Sequence, residues 1–224
     1  MRFAVKLLVL LVGQALVPSV VEGFLPVSSL WTQEVVDRIV ARIENDIITL
    51  SEVRELARFQ QLREGRAARD AELISQLIEQ WIVGMEAASA HFPRPAQAEV
   101  ALELERVEKQ FASLEAYHAR LRELGLTAAG VRRLVERQLY LTRYLDYKFR
   151  PAAQVDAQQI EKYYREQLVP QLVERTQPVP PLERVQEQIR ELLTQREINE
   201  RAGRWLDETK SRLRIERESG DNAS

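Results

Sequence analysis

The sequence contains no cysteine among its 224 residues. A disulfide framework, a thiol nucleophile and a lipid attached through cysteine are therefore all excluded. Histidine occurs only twice, as His91 and His118, and neither has a second histidine or a carboxylate at metal-binding spacing on the same helical face. We therefore predict neither a metal site nor another cofactor.

Glycine is also scarce, with eight residues, and the sequence has no glycine-rich phosphate-binding loop and no nucleophile-elbow motif. The closely spaced carboxylates Asp37, Glu44 and Asp46 could suggest a paired acid and base, but we interpret them as solvated charges of a turn and a strand edge. The sequence therefore predicts no catalytic residue and does not favour an enzyme.

Neither sign of charge dominates the chain. Its 32 lysines and arginines are balanced by 34 aspartates and glutamates, which gives a formal net charge of −2. Domains that bind nucleic acid are typically strongly basic. We therefore predict no nucleic-acid partner.

The amino terminus has the three-part layout of a secretory signal peptide. Arg2 and Lys6 precede an apolar run over residues 7–16, and small residues follow near Gly23. The run is shorter than the roughly 20 apolar residues of a membrane span. We predict a cleaved signal peptide over residues 1–23 and no stable membrane insertion after cleavage, with an uncleaved anchor as the alternative.

The stretch ARIENDIITLSEVREL predicts a strand, a tight turn, a short strand and a capped helix. Alternating side chains mark the strand at 35–43, and Asn45-Asp46 is a turn signal. Thr49 and Glu52 have the spacing of a capping box. The terminal strand-like residues 213–217 are too few to be stable alone, so we expect them to pair with the first strand.

Nearly everything between these strands has helical spacing. Glycines, prolines and polar loops separate the predicted helices, which cover residues 50–63, a segment around 73–85, 96–111, 113–124, 128–149, 156–168 and 182–212. We predict a mainly α fold, a helical bundle closed by a small sheet from both termini. One domain would span residues 35–217, after a leader at 24–34 and before a disordered tail at 218–224.

Several of these segments, in this order, resemble the SurA-type periplasmic chaperones. VVDRIVARIENDIITLSEV is similar to the first segment of that family, and SLEAYHARLRELGLTAAGVRRLVERQLYLTRYLDYKF is similar to its paired helices. VDAQQIEKYYREQL resembles the helix leading out of the family's N-terminal domain. VPPLERVQEQIRELLTQREINERAGRWLDETKSRLRIERE resembles its C-terminal helix and final strand. The resemblance covers residues 35–217.

The resemblance implies a peptide-binding fold of the SurA N-terminal and trigger-factor type, in the periplasm. Within this chain, residues 35–150 correspond to the N-terminal part, 156–168 to the exit helix and 213–217 to the closing strand. The family usually carries parvulin prolyl isomerase domains before its C-terminal helix, but here only VPQLVERTQPVPP separates the two helices. The implied function is an ATP-independent holdase for unfolded envelope proteins, including outer-membrane protein precursors.

Tyr140, Tyr144 and Tyr147 share one face of the predicted helix 128–149. This spacing fits either core packing or a binding groove, and we take the three as candidate peptide-binding residues, since tyrosine combines apolar area with a polar tip. We expect helices around 73–85 and 128–149 to frame the cleft, braced by helix 182–212. The alternatives are an exported adaptor with one specific partner and, with less support, a peptidyl-prolyl isomerase.

Overall fold

The computed structural model describes residues 37–218 of the chain. The predicted signal peptide (1–23), the leader (24–34) and residues 219–224 of the predicted tail lie outside the described residues. Over the described part, the protein is mainly helical with a small three-stranded antiparallel sheet formed by strands near the two ends. The predicted fold class is confirmed.

The sheet joins the beginning and the end of the described chain. Its strands are β1 (Ile39–Ile43), β2 (Asp46–Thr49) and β3 (Ile215–Arg217). β1 lies in the middle and runs antiparallel to both neighbours, with Ile43 opposite Ile215. The predicted pairing of the two end strands is therefore confirmed, although both are shorter than predicted.

The turn between β1 and β2 differs from the prediction in one residue. The left-handed backbone is taken by Glu44, at a φ of 51°, rather than by Asn45 or Asp46. Glu44 is held there by the end of the chain, because its N–H donates to the Arg214 carbonyl at 3.0 Å. Its Oε1 in turn accepts from the Arg214 N–H at 2.7 Å. This tertiary contact selects the turn residue.

Eight α-helices follow from the spacing of apolar residues and from their caps. They are α1 (Leu50–Glu64), α2 (Asp70–Ser89), α3 (Gln97–Glu108), α4 (Leu114–Glu123), α5 (Ala128–Phe149), α6 (Ala157–Tyr163), α7 (Val169–Glu174) and α8 (Leu182–Lys210) within residues 37–218. The capping box of Thr49 and Glu52 is present at α1. At α2 the N-cap is Arg69, and Asp70 is the first helical residue, where its charge complements the helix dipole.

The predicted helix 156–168 does not end at residue 168. A π-helix over Tyr164–Leu168 joins α6 directly to α7, so the helical path reaches Glu174. Pro170 explains this local change, because proline has no N–H to donate and its ring collides with the carbonyl four residues earlier in an α-helix. A wider turn before Pro170 lets the chain continue.

Three clusters of buried side chains hold these elements together. The main core lies between the sheet, α1, α2, α5 and α8, and includes Ile43, Ile48, Val53, Leu73, Ile78, Ile82, Tyr140, Tyr144 and Leu206. The second core joins α1, α3, α4 and α5 through Phe59, Leu62, Val100, Val107, Tyr117, Leu121, Val131 and Val135. The third core joins α6 to α8 through Ile160, Tyr163 and Ile189.

No helix within residues 37–218 combines the length and the apolar character that crossing a membrane would require.

Candidate functional site

The three candidate tyrosines do not form one exposed surface. Tyr140 and Tyr144 are each only 4 % exposed, and both pack against Phe92, with ring centroids 5.9 and 5.5 Å away. The Tyr140 hydroxyl also donates to the Phe92 carbonyl at 3.4 Å. Tyr147 is 65 % exposed. Of the two roles left open by the sequence, core packing describes Tyr140 and Tyr144, and only Tyr147 offers its side chain to a partner.

Two cations lie beside this aromatic cluster. The Arg94 guanidinium is 4.4 Å from the Tyr140 ring centroid, and Lys148 Nζ is 4.5 Å from the Trp205 ring centroid. Lys148 also donates to Glu86 at 3.0 Å. Burial acts to lower the pKa of Lys148, but the hydrogen bond to Glu86 and the neighbouring Tyr144 raise it above its ordinary value. These contacts brace the aromatic cluster.

The seam between α2 and α5, where we expected a cleft, is packed at one end and open at the other. Gly84 of α2 faces Leu141 of α5, and a Cβ atom added at Gly84 would lie 3.7 Å from the Leu141 side chain, at ordinary van der Waals distance. The two helices are therefore closely packed at this end. On the α1 side the helices separate and leave a cavity of about 290 Å³. Its lining residues are Leu56, Phe59, Gln60, Arg63, Glu64, Gln76, Gln80, Leu134, Arg137 and Gln138.

A second cavity of about 200 Å³ adjoins the first and shares Arg63 and Gln138 with it. The residues lining it are Arg63, Glu103, Val135, Gln138, Leu139 and Thr142. Arg63 Nη1 donates to Gln138 Oε1 at 2.6 Å, and this bond lies where the two cavities meet. We call the two cavities together the glutamine groove.

The floor of the glutamine groove is apolar, and its walls carry amides together with the charged groups of Arg63, Glu64, Glu103 and Arg137. Leu56 and Phe59 are buried at the bottom, between the main and second cores. On the wall, Gln60 Nε2 donates to Gln76 Oε1 at 2.7 Å, and Gln60 Oε1 accepts from the Ala68 N–H at 2.9 Å. Each primary amide has two donors and two acceptor lone pairs, so these bonds leave hydrogen-bonding capacity unused.

An apolar floor with amide walls suits an extended polypeptide. Side-chain amides offer both donors and acceptors, which are the partners that peptide N–H and C=O groups need. In an extended chain, alternate side chains point to opposite sides, so every second one can enter the floor. The arrangement therefore supports binding that depends on backbone and apolar contacts more than on a particular sequence.

The glutamine groove was missed in the sequence, although it left a signal there. Gln76 and Gln80 are four residues apart on α2, and Leu134 and Gln138 have the same spacing on α5. Such pairs lie on one helical face. A search for glutamines beside the buried faces of neighbouring helices would have identified these positions. It would not have predicted the gap between the helices.

The three carboxylates near β1 have structural partners. Asp37 accepts hydrogen bonds from the Ser51 hydroxyl and N–H, and the Ser51 hydroxyl bond is the main cause of its lowered pKa. Asp46 accepts from Trp81 Nε1 at 2.8 Å, and Glu44 holds Arg214. These bonds join the sheet to α1, α2 and the C-terminal segment, so the carboxylates serve the fold.

No family model and no curated protein sequence match this chain. Its resemblance to the SurA-type chaperones therefore rests on the sequence segments quoted above, and the site has to be argued from its own geometry.

Proposed function

We propose that the protein is an ATP-independent holdase that binds unfolded polypeptides in the glutamine groove. The observation that carries this proposal is the open groove between α1, α2 and α5, with buried Leu56 and Phe59 beneath glutamine side chains. The order of sequence segments shared with SurA-type chaperones supports it. Tyr147 is a second candidate contact, because its ring is exposed beside Phe92, at a centroid distance of 5.3 Å.

A holdase of this kind works by mass action. A protein that binds the unfolded state of a client lowers the concentration of free unfolded chains and so slows their aggregation. The proposed clients are unfolded envelope proteins in the periplasm, including outer-membrane protein precursors. Their strands alternate apolar and polar residues, and such an alternation matches an apolar floor beneath polar walls.

This proposal needs no catalytic step. The α7 and α8 helices are separated only by residues 175–181, which are too few to hold a parvulin domain with its own sheet. We therefore do not propose prolyl isomerase activity. In a proline-peptide assay, we expect the isomerisation rate with the protein to equal the uncatalysed rate, and a concentration-dependent acceleration would contradict this expectation.

The test is an aggregation assay with a denatured outer-membrane barrel protein, without nucleotide. The wild-type protein should slow aggregation, and a peptide with alternating aromatic residues should compete. Replacing Gln76 and Gln80 by alanine removes two wall amides and should weaken peptide binding about tenfold, from the typical net value of a hydrogen bond. The matched control replaces the exposed Gln110 and Gln188 by alanine, and should bind as the wild type does.

Two outcomes would change the proposal in different ways. If the Gln76 and Gln80 variant binds peptides as tightly as the control, the glutamine groove is not the binding site. If the wild type has no effect on aggregation at several-fold excess and captures one folded partner, an adaptor function replaces the holdase function.

A further inference from the structure

A separate cavity of about 350 Å³ lies between α8 and the helical segment formed by α6 and the π-helix. It shares no residue with the glutamine groove. Its lining combines apolar, amide and charged side chains, namely Gln154, Val155, Gln159, Lys162, Tyr163, Gln167, Leu193, Arg196, Glu197 and Glu200. The π-helix contributes Gln167, and π-helical turns are frequently found at functional sites.

Arg196 is held in place at this cavity by uncharged neighbours. Its guanidinium carbon is 5.0 Å from the Tyr163 ring centroid, and its Nη1 donates to Gln167 Oε1 at 3.3 Å. A guanidinium has five N–H donors in a planar fork. Most of these donors therefore remain available to a ligand. The contacts with Tyr163 and Gln167 already fix the orientation of the guanidinium plane.

The other arginines of this part of α8 differ from Arg196, because they pair with glutamates of their own helix. Arg201 Nε is 2.7 Å from Glu197 Oε1, and Arg204 is 3.9 Å from both Glu197 and Glu200. Within residues 37–218, no carboxylate lies at ion-pair distance from Arg196 or from Lys162. The two glutamates at the cavity are thus neutralised by arginines, which leaves two cations for a ligand.

The cations of the lining are better placed than its carboxylates to bind an anion. Lys162 and Arg196 stand against Glu197 and Glu200, so the lining is neutral as a whole. The two glutamates already face Arg201 and Arg204, which lie outside the lining. Apolar side chains lie beside these cations, because Tyr163 is buried and Val155 and Leu193 are half-buried in the third core. A ligand that satisfies both features carries a carboxylate next to an apolar side chain.

We propose that this cavity binds the carboxyl terminus of a polypeptide whose last residue is apolar. Arg196 and Lys162 bind the terminal carboxylate, and Val155, Tyr163 and Leu193 contact the last side chain. Arginine binds carboxylates with two parallel hydrogen bonds, which gives such a site both strength and orientation. The inference concerns a second site, and it does not require that the glutamine groove binds peptide.

The test compares two labelled peptides of the same sequence ending in leucine, one with a free carboxylate and one with a terminal amide. Binding to the full chain is measured by fluorescence polarisation at low salt. We expect the free acid to bind about tenfold more tightly than the amide, as a charge-assisted bidentate contact allows. The preference should weaken as the salt concentration rises.

Variants assign this preference to the cavity. Replacing Arg196 and Lys162 by glutamine should abolish it, whereas Arg212→Gln should keep it, because Arg212 lies outside the cavity and pairs with Glu208 at 3.9 Å. Both target side chains are exposed, and thermal unfolding would confirm that the variant is folded. The Gln76 and Gln80 variant should retain the preference, which separates this inference from the proposed holdase function.

Three results would overturn the inference. Equal binding of acid and amide would show that the terminal carboxylate is not recognised. An unchanged preference in the Arg196 and Lys162 variant would place recognition elsewhere. Equally tight binding of an amidated peptide with an internal glutamate would mean that any carboxylate suffices, so that the chain end is not the ligand.

Discussion

Removing β3 should destabilise the whole sheet, because β1 would lose one of its two neighbours. The test is a truncation that ends the chain at Arg212. It deletes the pairing of β1 with β3. It also deletes the two backbone hydrogen bonds at the ends of that pairing, from the Glu44 N–H to the Arg214 carbonyl and from the Glu218 N–H to the Val40 carbonyl, both at 3.0 Å. It also removes Leu213 and Ile215, which are half-buried against the main core.

The size of the effect follows from these contacts. The two backbone hydrogen bonds at the ends of the β1–β3 pairing alone contribute roughly 2 kcal/mol in net terms, and the bonds within the pairing add to this. Two half-buried aliphatic side chains contribute roughly another 2 kcal/mol, about half the value for full burial. A loss of at least about 4 kcal/mol in the free energy of unfolding should lower the melting temperature by about 10 °C or more in a domain of this size.

The control truncation removes only residues 219–224 and keeps Glu218, whose N–H completes the pairing with β1. Its melting temperature, measured by circular dichroism, should equal that of the full chain. The truncation at Arg212 should also aggregate on heating, because it leaves β1 as an open edge strand. Equal melting temperatures for the two truncations would refute the role assigned to β3.

Three further predictions follow from other contacts. Tyr144→Ala should lower the free energy of unfolding by roughly 3–5 kcal/mol, the usual cost of truncating a buried aromatic side chain, whereas Tyr147→Ala should change it by less than about 0.5 kcal/mol. Urea unfolding measures both changes, and equal values would contradict the burial of Tyr144 and the exposure of Tyr147. Thr49→Ala should cost about 1 kcal/mol through loss of the α1 cap, whereas the exposed Thr142→Ala inside α5 should not destabilise the fold in the same assay, since alanine is the better helix former. Arg150 donates hydrogen bonds to Glu191, at 2.8 and 3.0 Å, and thereby lowers the pKa of Glu191. This pair therefore stabilises the fold at pH values above the ordinary glutamate pKa of about 4.3, and the stabilisation is lost as the pH falls through the lowered pKa. Glu191→Gln should therefore be less stable than the wild type at pH 7, by under about 1 kcal/mol because the pair is exposed, and equally stable at pH 2; a difference that grows on acidification would contradict this sign.

Local signals in the sequence predicted those parts of the fold that depend on neighbouring residues. The capping box needs only Thr49 and Glu52, and it is present as predicted. The pairing of the two end strands was predicted by a physical requirement, since a short strand needs a partner. The π-helix before Pro170 was not predicted, because proline usually ends a helix and because Tyr164 and Leu168 of the π-helix pack against the third core, which a sequence pattern does not record.

The candidate site depended on contacts that periodicity does not contain. Spacing placed Tyr140, Tyr144 and Tyr147 on one helical face, but the chain around Phe92, 48 residues before Tyr140, covers two of them. The glutamine groove arises where α1, α2 and α5 separate. The width of such a gap depends on how three helices pack together, and no pattern within one helix records it.

The central position of β1 has a consequence for how the protein is made. β1 is synthesised near the start of the chain, but Arg214, which leads into its partner β3, comes 170 residues after Glu44. At a synthesis rate of about 5–20 residues per second, β1 waits roughly 10–30 s for that strand. During this time every nascent molecule carries an uncovered edge of β1, so the growing chain is itself an aggregation-prone polypeptide until β3 is made.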